Sequence, residues 1–317
     1  SGTLTFSSTA AVPIYGRSAD NIRDHRHVTS LLHRITTVDD GVMVNPTLSF
    51  DERGHKVNDT LYGFFGRSNE SVNIIGFFPT IAEYIGSGGS LENPEAIMTD
   101  RIKPVPIGYE INGYETLGGI RFDDISLHRG EEIAFYLVLG YGKDESILKN
   151  MAEKYLNKAG FHKALEETKV YWKDKINVML ETSNSDFNNW MYWVTFQPML
   201  RRIYGCSFLP HHDYGKGGRG WRDLWQDCLA LLVMNPTGVR EMLLNNFSGI
   251  RIDGTNATII GTKPGEFIAD RNNITRVWMD HGVWPFITTK LYIEQTGDID
   301  LLLEEREYFK DAQINRG

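Results

Sequence analysis

Cysteine is scarce in this chain of 317 residues, which contains only Cys206 and Cys228. Two cysteines are too few for a disulfide framework, so a reducing cytoplasm is the expected compartment. The sequence also lacks any apolar run near the ~18 residues that a membrane-spanning helix needs, and its first residues show no signal-peptide pattern. We therefore expect a cytoplasmic protein that has no membrane partner.

Basic residues are also in deficit, because 33 Lys and Arg stand against 41 Asp and Glu and leave a net charge of −8. Proteins that bind nucleic acids need basic surface, so no nucleic-acid partner is expected. The glycines between Gly215 and Gly220 have the spacing of neither a P-loop nor a Rossmann turn. This spacing argues against an ATP-dependent or nicotinamide-dependent enzyme.

A standard zinc pattern is missing as well. His25, His27 and His33 are close in sequence, but no cysteine lies near them and their spacing fits no common zinc site. We interpret them as ordinary surface or loop histidines and expect no metal site.

Hydrophobic residues make up 41% of the chain, and its length allows two domains of ordinary size. Short apolar runs between turn signals, such as residues 61–66 and 133–140, predict strands throughout residues 1–142. Runs that are apolar on both faces suit strands inside two packed sheets, so the C-terminal part of a β-sandwich domain is expected here.

The apolar period becomes helical near residue 143. Two helices separated near Gly160 predict a helical linker over residues 143–182. Beyond it, Asp186 is expected to cap a helix, and Pro198 is expected to kink that helix or end its first half.

Further helices are predicted from the apolar pattern and its breaks, at residues 224–234, 239–247, 282–295 and 300–311. Residues 252–274 contain little that looks helical. Paired helices joined by long loops are consistent with the first part of an (α/α)6 barrel over residues 183–317. Seven tryptophans between residues 172 and 284 are interpreted mainly as core residues of these helices.

The stretch that joins a glycine-rich loop to the helix at residues 224–234 carries the strongest functional signal. Asp223 and Asp227 are four residues apart, so both carboxylates lie on one face at the start of that helix. Buried carboxylates need partners, which Arg222, Arg219 or a polyhydroxylated ligand can supply. An ion-pair network that only pins the loop to the helix is an equal alternative.

The same stretch also indicates a family. Residues 220–227 read G-W-R-D-L-W-Q-D, which resembles the G-[YF]-R-D-x-x-Q-D signature of the cellobiose-phosphorylase-like inverting glycoside phosphorylases. The longer context, residues 208–227, is most similar to the 1,2-β-oligoglucan phosphorylases of that family. The segment W-M-D-H-G-V-W-P at residues 278–285 fits the same subgroup.

The resemblance implies an (α/α)6 barrel that catalyses reversible phosphorolysis of a β-glucosidic bond, with inorganic phosphate as co-substrate and no other cofactor. The favoured substrates are β-1,2-linked glucose oligomers such as sophorose, and the product is α-glucose 1-phosphate. The signature residues would hold the sugar on the non-reducing side of the scissile bond. The carried-over substrate-binding residues are Arg222, Asp223 and Asp227, with Trp221, Asp280, His281, Arg219, Lys216 and Asp213 as weaker candidates.

Two motifs of the family are not found in this sequence. The general acid is an Asp in a D-W-N-D-like motif, and the phosphate-binding histidine follows later. We therefore expect an internal fragment without its own general acid, inactive by itself. Its partners would be the sugar, phosphate and the remainder of the polypeptide, and a homo-oligomer stays open.

Two alternatives to a phosphorylase remain. The first is an inverting hydrolase with the same barrel, which would need a second carboxylate to activate water. The second is a non-catalytic glycan-binding or assembly piece of a cyclic β-1,2-glucan synthase-like protein, which would bind sugar without any dependence on phosphate.

Overall fold

The structure is a computed structural model, and it describes residues 2–15, 30–51, 54–69, 72–99, 101–204, 220–257, 259–260, 264–268 and 279–310. The chain divides into two compact units, Ser1–Thr168 and Lys169–Gly317. This division falls inside the predicted linker, so the domain limits at residues 142 and 182 stay predictions. Sheets dominate the first unit, and helices dominate the second.

The first unit is built from antiparallel strands. They are β1 Leu4–Ile14, β2 Arg34–Val38, β3 Gly41–Asn45, β4 Thr47–Asp51, β5 Gly54–Asn58, β6 Leu61–Ser68, β7 Ile74–Thr80, β8 Glu110–Asn112, β9 Thr116–Leu127 and β10 Phe135–Gly142. A three-stranded sheet has the order β1-β9-β7, a five-stranded sheet has the order β10-β6-β3-β2-β8, and β4 and β5 form a hairpin. The apolar runs at residues 61–66 and 133–140 therefore mark real strands.

The two larger sheets share one apolar core. Side chains in a strand alternate between faces, so each sheet can direct one set of apolar residues to the same side. The three-stranded sheet contributes residues such as Phe77 and Ile120, and the five-stranded sheet contributes Ile35, Val44 and Phe64. The longest ladder joins β1 to β9, from Leu4 opposite Leu127 to Ile14 opposite Thr116.

Three helices accompany these sheets, namely α1 Ile81–Ile85, α2 Glu95–Met98 and α3 Glu145–Tyr155. Helix α3 begins where Asp144 accepts a hydrogen bond from the backbone N of Ile147 at 3.1 Å. Its buried Leu148 and Ala152 pack with Phe65 of β6. A Cβ on Gly140 of β10 would meet only the end of the Met151 side chain, which is flexible and can move aside.

Helix α4, Lys158–Lys175, begins earlier than predicted. The break between α3 and α4 lies at residues 156–157, because the side-chain oxygen of Asn157 accepts from the backbone N of Gly160 at 2.8 Å. Gly160 therefore lies within the first turn of α4. A Cβ there would overlap the backbone oxygen of Lys154, which explains the glycine without a helix break.

Of the two predicted settings for His33, surface or loop, the loop is present, because His33 directly precedes β2, but the residue is not at the surface. It is buried, and its Nδ1 lies 2.9 Å from the hydroxyl of Thr116. His25 and His27 lie outside the described residues. In the part of the chain that the structure describes, no group of three or more His, Cys, Asp or Glu side chains could hold a metal ion.

The second unit contains four further helices, α5 Ser185–Tyr204, α6 Trp221–Met234, α7 Val239–Phe247 and α8 Val283–Thr296, and a 3-10 helix, Ile299–Leu303. Strands β11 Ile259–Ile260 and β12 Phe267–Ile268 form a short hairpin within residues 252–274. The helices predicted at residues 224–234, 239–247 and 282–295 are present. No helix among the described residues is long and apolar enough to cross a membrane.

Helix α5 differs from its prediction at its cap. Asn184, and not Asp186, caps it, because the Asn184 side-chain oxygen accepts from the backbone N of Asp186 and Phe187 at 3.0 and 3.1 Å. Asp186 instead lies in the first turn. Pro198 lies inside α5, which continues to Tyr204, so of its two predicted effects the proline does not end the helix, and a kink stays a prediction.

The helix predicted at residues 300–311 is also wrong. Only the 3-10 helix forms, and residues 304–310 are not helical. Tertiary contacts explain this outcome, because Glu304 binds Arg240 at 2.8 Å and the backbone N of Phe309 donates to the oxygen of Ile250 at 2.8 Å. These bonds hold the segment away from a helical path.

The core of the second unit centres on α6. Trp221, Trp225 and Leu231 of this helix pack with Leu243 of α7 and Tyr292 of α8. The core interpretation therefore holds for these two tryptophans. It fails for Trp190 and Trp193 of α5, which are exposed.

Candidate functional site

The first turn of α6 positions three of the predicted site residues. Gly220 precedes the helix, and its backbone N donates to the Oδ2 of Asp223 at 3.3 Å. A carboxylate at this position also interacts favourably with the positive end of the helix dipole. Trp221, Arg222 and Asp223 are thus fixed by local sequence at one helix end.

Asp223 and Asp227 have different surroundings, although both belong to the predicted face of α6. Asp223 is half-buried, whereas Asp227 lies one turn deeper and is only 3% exposed. Asp223 can therefore meet a ligand that approaches the helix end. Asp227 instead lies on the buried face of α6.

The charged partner of Arg222 is Asp280, a residue 58 positions later in the chain. The Arg222 Nη1 lies 3.0 Å from the Asp280 Oδ2, which also accepts from the Trp284 Nε1 at 3.2 Å. Asp280 comes shortly before α8, and Trp284 lies in its first turn. The hydrogen bond from Trp284 and the charge of Arg222 both lower the pKa of Asp280. The carboxylate is therefore ionised at neutral pH.

His281 joins the same cluster through its backbone and its ring. Its backbone oxygen accepts from the Trp221 Nε1 at 2.9 Å, and its Nδ1 lies 3.2 Å from the Nδ2 of Asn256. Burial lowers the pKa of His281, and the positive charge of Arg222 lowers it further, against the opposite effect of Asp280 and Asp223. Its imidazole is therefore neutral at pH 7.

The structure thus brings together five of the predicted site residues: Trp221, Arg222, Asp223, Asp280 and His281. Three others, Asp213, Lys216 and Arg219, lie outside the described residues.

Sequence reasoning missed two members of the cluster. Trp284 had a signal, since it stands four residues after Asp280 in the quoted segment and meets it across one helical turn. Asn256 had none, because its contact with His281 depends on tertiary structure.

The cluster offers groups that suit a polyhydroxylated ligand. Arg222 is 55% exposed, and its planar guanidinium can donate to two neighbouring hydroxyl groups. Asp223 and Asp280 can accept from hydroxyl groups, and a neutral His281 can donate to an oxygen or accept from a hydroxyl. This combination matches hydrogen bonding to a sugar ring.

The helical unit also matches a known protein family. Residues 171–315 match the model of the glycosyl hydrolase 94 superfamily, catalytic domain. The cellobiose-phosphorylase-like resemblance drawn from residues 220–227 is therefore confirmed at the family level, and all five clustered residues lie within the matched segment.

Two curated proteins are similar to a longer part of this chain than the family match covers. The chain is 25% identical over 255 residues to the cyclic β-(1,2)-glucan synthase NdvB of Rhizobium meliloti. This match covers 77% of this chain and 8% of NdvB. It is also 25% identical over 224 residues to the cellobionic acid phosphorylase of Neurospora crassa. This second match covers 69% of this chain and 26% of that enzyme. The chain thus spans only a small part of the length of either relative, and both similarities extend into residues before 171.

Proposed function

We propose that this chain supplies the sugar-holding part of a glycoside phosphorylase active site. The Arg222–Asp280 pair supports this proposal, because it places an exposed guanidinium and an ionised carboxylate side by side within the glycosyl hydrolase 94 segment. Asp223 and His281 add an acceptor and a neutral donor beside that pair. In this proposal Asp227, which is buried, keeps the helix end in place and does not touch the sugar.

The proposed reaction is reversible phosphorolysis of a β-glucosidic bond with inversion, giving α-glucose 1-phosphate. Inversion needs a general acid for the leaving oxygen and a nucleophile on the opposite face of the ring. Inorganic phosphate is itself an anionic nucleophile, so no second carboxylate has to activate water. The general acid and the phosphate contacts would come from residues other than the described cluster.

The finer features of the proposal rest on the sequence resemblance. The favoured substrates are β-1,2-linked glucooligosaccharides, and phosphate is the co-substrate without another cofactor. The helices around α6 would form the first part of an (α/α)6 barrel. The two sheets that share a core would form the β-sandwich. Further residues of the catalytic domain would be the partner that completes the site.

Sugar binding and phosphate release test the proposal together. We expect sophorose to bind this chain in a calorimetric titration, and Arg222→Met to weaken that binding. A polypeptide that contains the whole superfamily catalytic domain is expected to release phosphate from α-glucose 1-phosphate and sophorose. Hydrolysis of sophorose by that polypeptide in the absence of phosphate would contradict phosphorolysis and favour an inverting hydrolase.

A second candidate function is glycan binding within a cyclic β-1,2-glucan synthase-like assembly. The similarity to NdvB favours it, since that match covers more of this chain than the match to the phosphorylase does. This candidate predicts that sophorose binds with the same affinity with and without phosphate, and that the complete catalytic domain releases no phosphate. Phosphate release by the complete catalytic domain therefore separates the candidates.

A further inference from the structure

The loop at residues 249–257 contacts the ring of His281 through Asn256. Its ends are joined where the backbone N of Ala257 donates to the oxygen of Gly249 at 2.9 Å. Arg251 is 2% exposed and donates from Nη1 to the backbone oxygen of Asn256. The Arg251 guanidinium also lies over the ring of Phe309, 5.1 Å from its centre. Asn256 is therefore buried on a backbone that is fixed at several points.

The side-chain amide of Asn256 has a defined orientation. Its Nδ2 lies 2.6 Å from the backbone oxygen of Ala257 and 3.2 Å from the Nδ1 of His281. A carbonyl oxygen can only accept, so the amide atom that faces Ala257 must be the NH2 group. The same NH2 group cannot accept a hydrogen bond from His281.

The orientation of this amide decides the protonation of the His281 ring. Because the Asn256 NH2 group donates, the His281 Nδ1 must be the accepting nitrogen and carries no proton. A neutral imidazole with a bare Nδ1 has its proton on Nε2. We propose that Asn256 is a positioning residue that holds His281 as the Nε2–H tautomer, so that Nε2 is the ring atom that carries the proton.

Two other features of the site support this arrangement. The Trp221 bond to the backbone oxygen of His281 fixes the main chain from the side of α6. Among the described residues, the charged groups that act on the ring are Asp280, Arg222 and Asp223, and burial outweighs the carboxylates and keeps the pKa of His281 below its ordinary value. The ring is thus neutral and has one defined donor.

The tautomer can be measured without any ligand, and this part of the inference does not depend on the proposed function. In the full chain, two-dimensional 15N–1H spectra that correlate the His281 ring nitrogens with its carbon-bound protons are expected to show a protonated Nε2 and a bare Nδ1. Asn256→Ala removes the donor and is expected to produce a mixture of both tautomers. Asn256→Asp supplies an acceptor to Nδ1 and is expected to move the proton there and to raise the pKa of His281.

A wild-type spectrum in which Nδ1 carries the proton would overturn the inference, whether or not the variants fold. An unchanged tautomer in folded Asn256→Ala and Asn256→Asp would overturn it as well, because Asn256 would then have no influence on the ring. Thermal unfolding of each variant establishes that the spectra come from folded protein.

The role of the donor in sugar binding rests on the proposed function. If sophorose binds the wild-type chain, Asn256→Asp is expected to weaken it about tenfold, the size of one lost hydrogen bond. In His281→Gln, whose side-chain NH2 group has no tautomer, adding Asn256→Asp is expected to have no further effect on affinity. An equal loss in both backgrounds would contradict the positioning role. Absence of sophorose binding by the wild type, with the expected tautomer present, would count against the proposed function and against sugar donation but not against tautomer control.

Discussion

The helical unit contains two arginine–aspartate pairs that look alike. Arg222 pairs with Asp280, and Arg240 pairs with Asp298, in each case across 58 residues. Each aspartate also accepts a hydrogen bond from an aromatic side chain of α8, which is the Trp284 Nε1 at 3.2 Å for Asp280 and the Tyr292 hydroxyl at 2.8 Å for Asp298.

The two pairs differ in how much of the guanidinium they occupy. Arg240 uses its Nε on Asp298 at 2.9 Å and its Nη2 on Glu304 at 2.8 Å, so one arginine binds two carboxylates. Arg222 binds Asp280 through Nη1, and it is 55% exposed where Arg240 is 40% exposed. An ion pair by itself therefore does not mark a binding site. An arginine that keeps donors directed to solvent beside its carboxylate is the better indicator.

The largest expected effect separates the two arginines. Arg222→Met is expected to weaken sophorose binding by roughly tenfold or more, because hydrogen bonds from a charged donor are stronger than neutral ones. Calorimetric titration measures the change. The matched control is Arg240→Met, which is expected to lower the melting temperature and to leave the affinity of the folded protein unchanged. Equal losses of affinity in the two variants would remove the distinction.

A smaller effect is expected from the aromatic donors. Trp284→Phe removes the hydrogen bond to Asp280, which raises the pKa of that carboxyl and weakens sophorose binding roughly two- to tenfold. Tyr292→Phe removes the corresponding bond to Asp298, and we expect only the melting temperature to fall. Loss of sugar affinity in Tyr292→Phe would show that the second pair also influences the site.

The smallest effect is a pH dependence that both pairs share. Hydrogen bonds from Trp284 and Tyr292, as the largest cause in each case, lower the pKa of Asp280 and Asp298. A lowered folded-state pKa stabilises the fold above the unfolded value of about 3.9, and this contribution is lost as the pH falls through the folded value.

Denaturant titrations between neutral and strongly acidic pH measure this contribution. Asp280→Asn and Asp298→Asn are each expected to reduce the stability at neutral pH and to flatten its decline in acid. Only Asp280→Asn should change sugar affinity at neutral pH. A decline in acid that neither substitution flattens would contradict the assigned pKa direction.

Much of the second unit could be predicted because its signals are local. Helix α7 begins and ends as predicted, and α8 ends at Thr296, directly before Gly297, whose φ of 73° suits a residue without a Cβ. The start of α4 was misplaced because Gly160 looks like a helix break. In the fold, glycine is needed there for close packing against a backbone oxygen.

In the candidate site, too, local sequence signals predicted some residues, and contacts between distant segments could not be predicted. The signature located Arg222 and Asp223, since both depend on a single helix start. The same pattern could not pair Arg222 with Asp280, because a separation of 58 residues leaves no periodic signal. Asn256 could not be found at all, because its importance comes from the direction of one amide group beside a residue of another segment.

The ladder between β1 and β9 has a consequence for how the first unit is made. The hydroxyls of Thr5 and Ser126 lie 2.8 Å apart although 121 residues separate them in the chain. Pairing β1 with β9 therefore has a large entropic cost of loop closure, which slows folding. During synthesis, β1 leaves the ribosome long before its partner exists. Until β9 is synthesised, the backbone donors and acceptors of β1 stay unpaired. During this interval the nascent chain is most exposed to wrong strand pairing and to binding by chaperones.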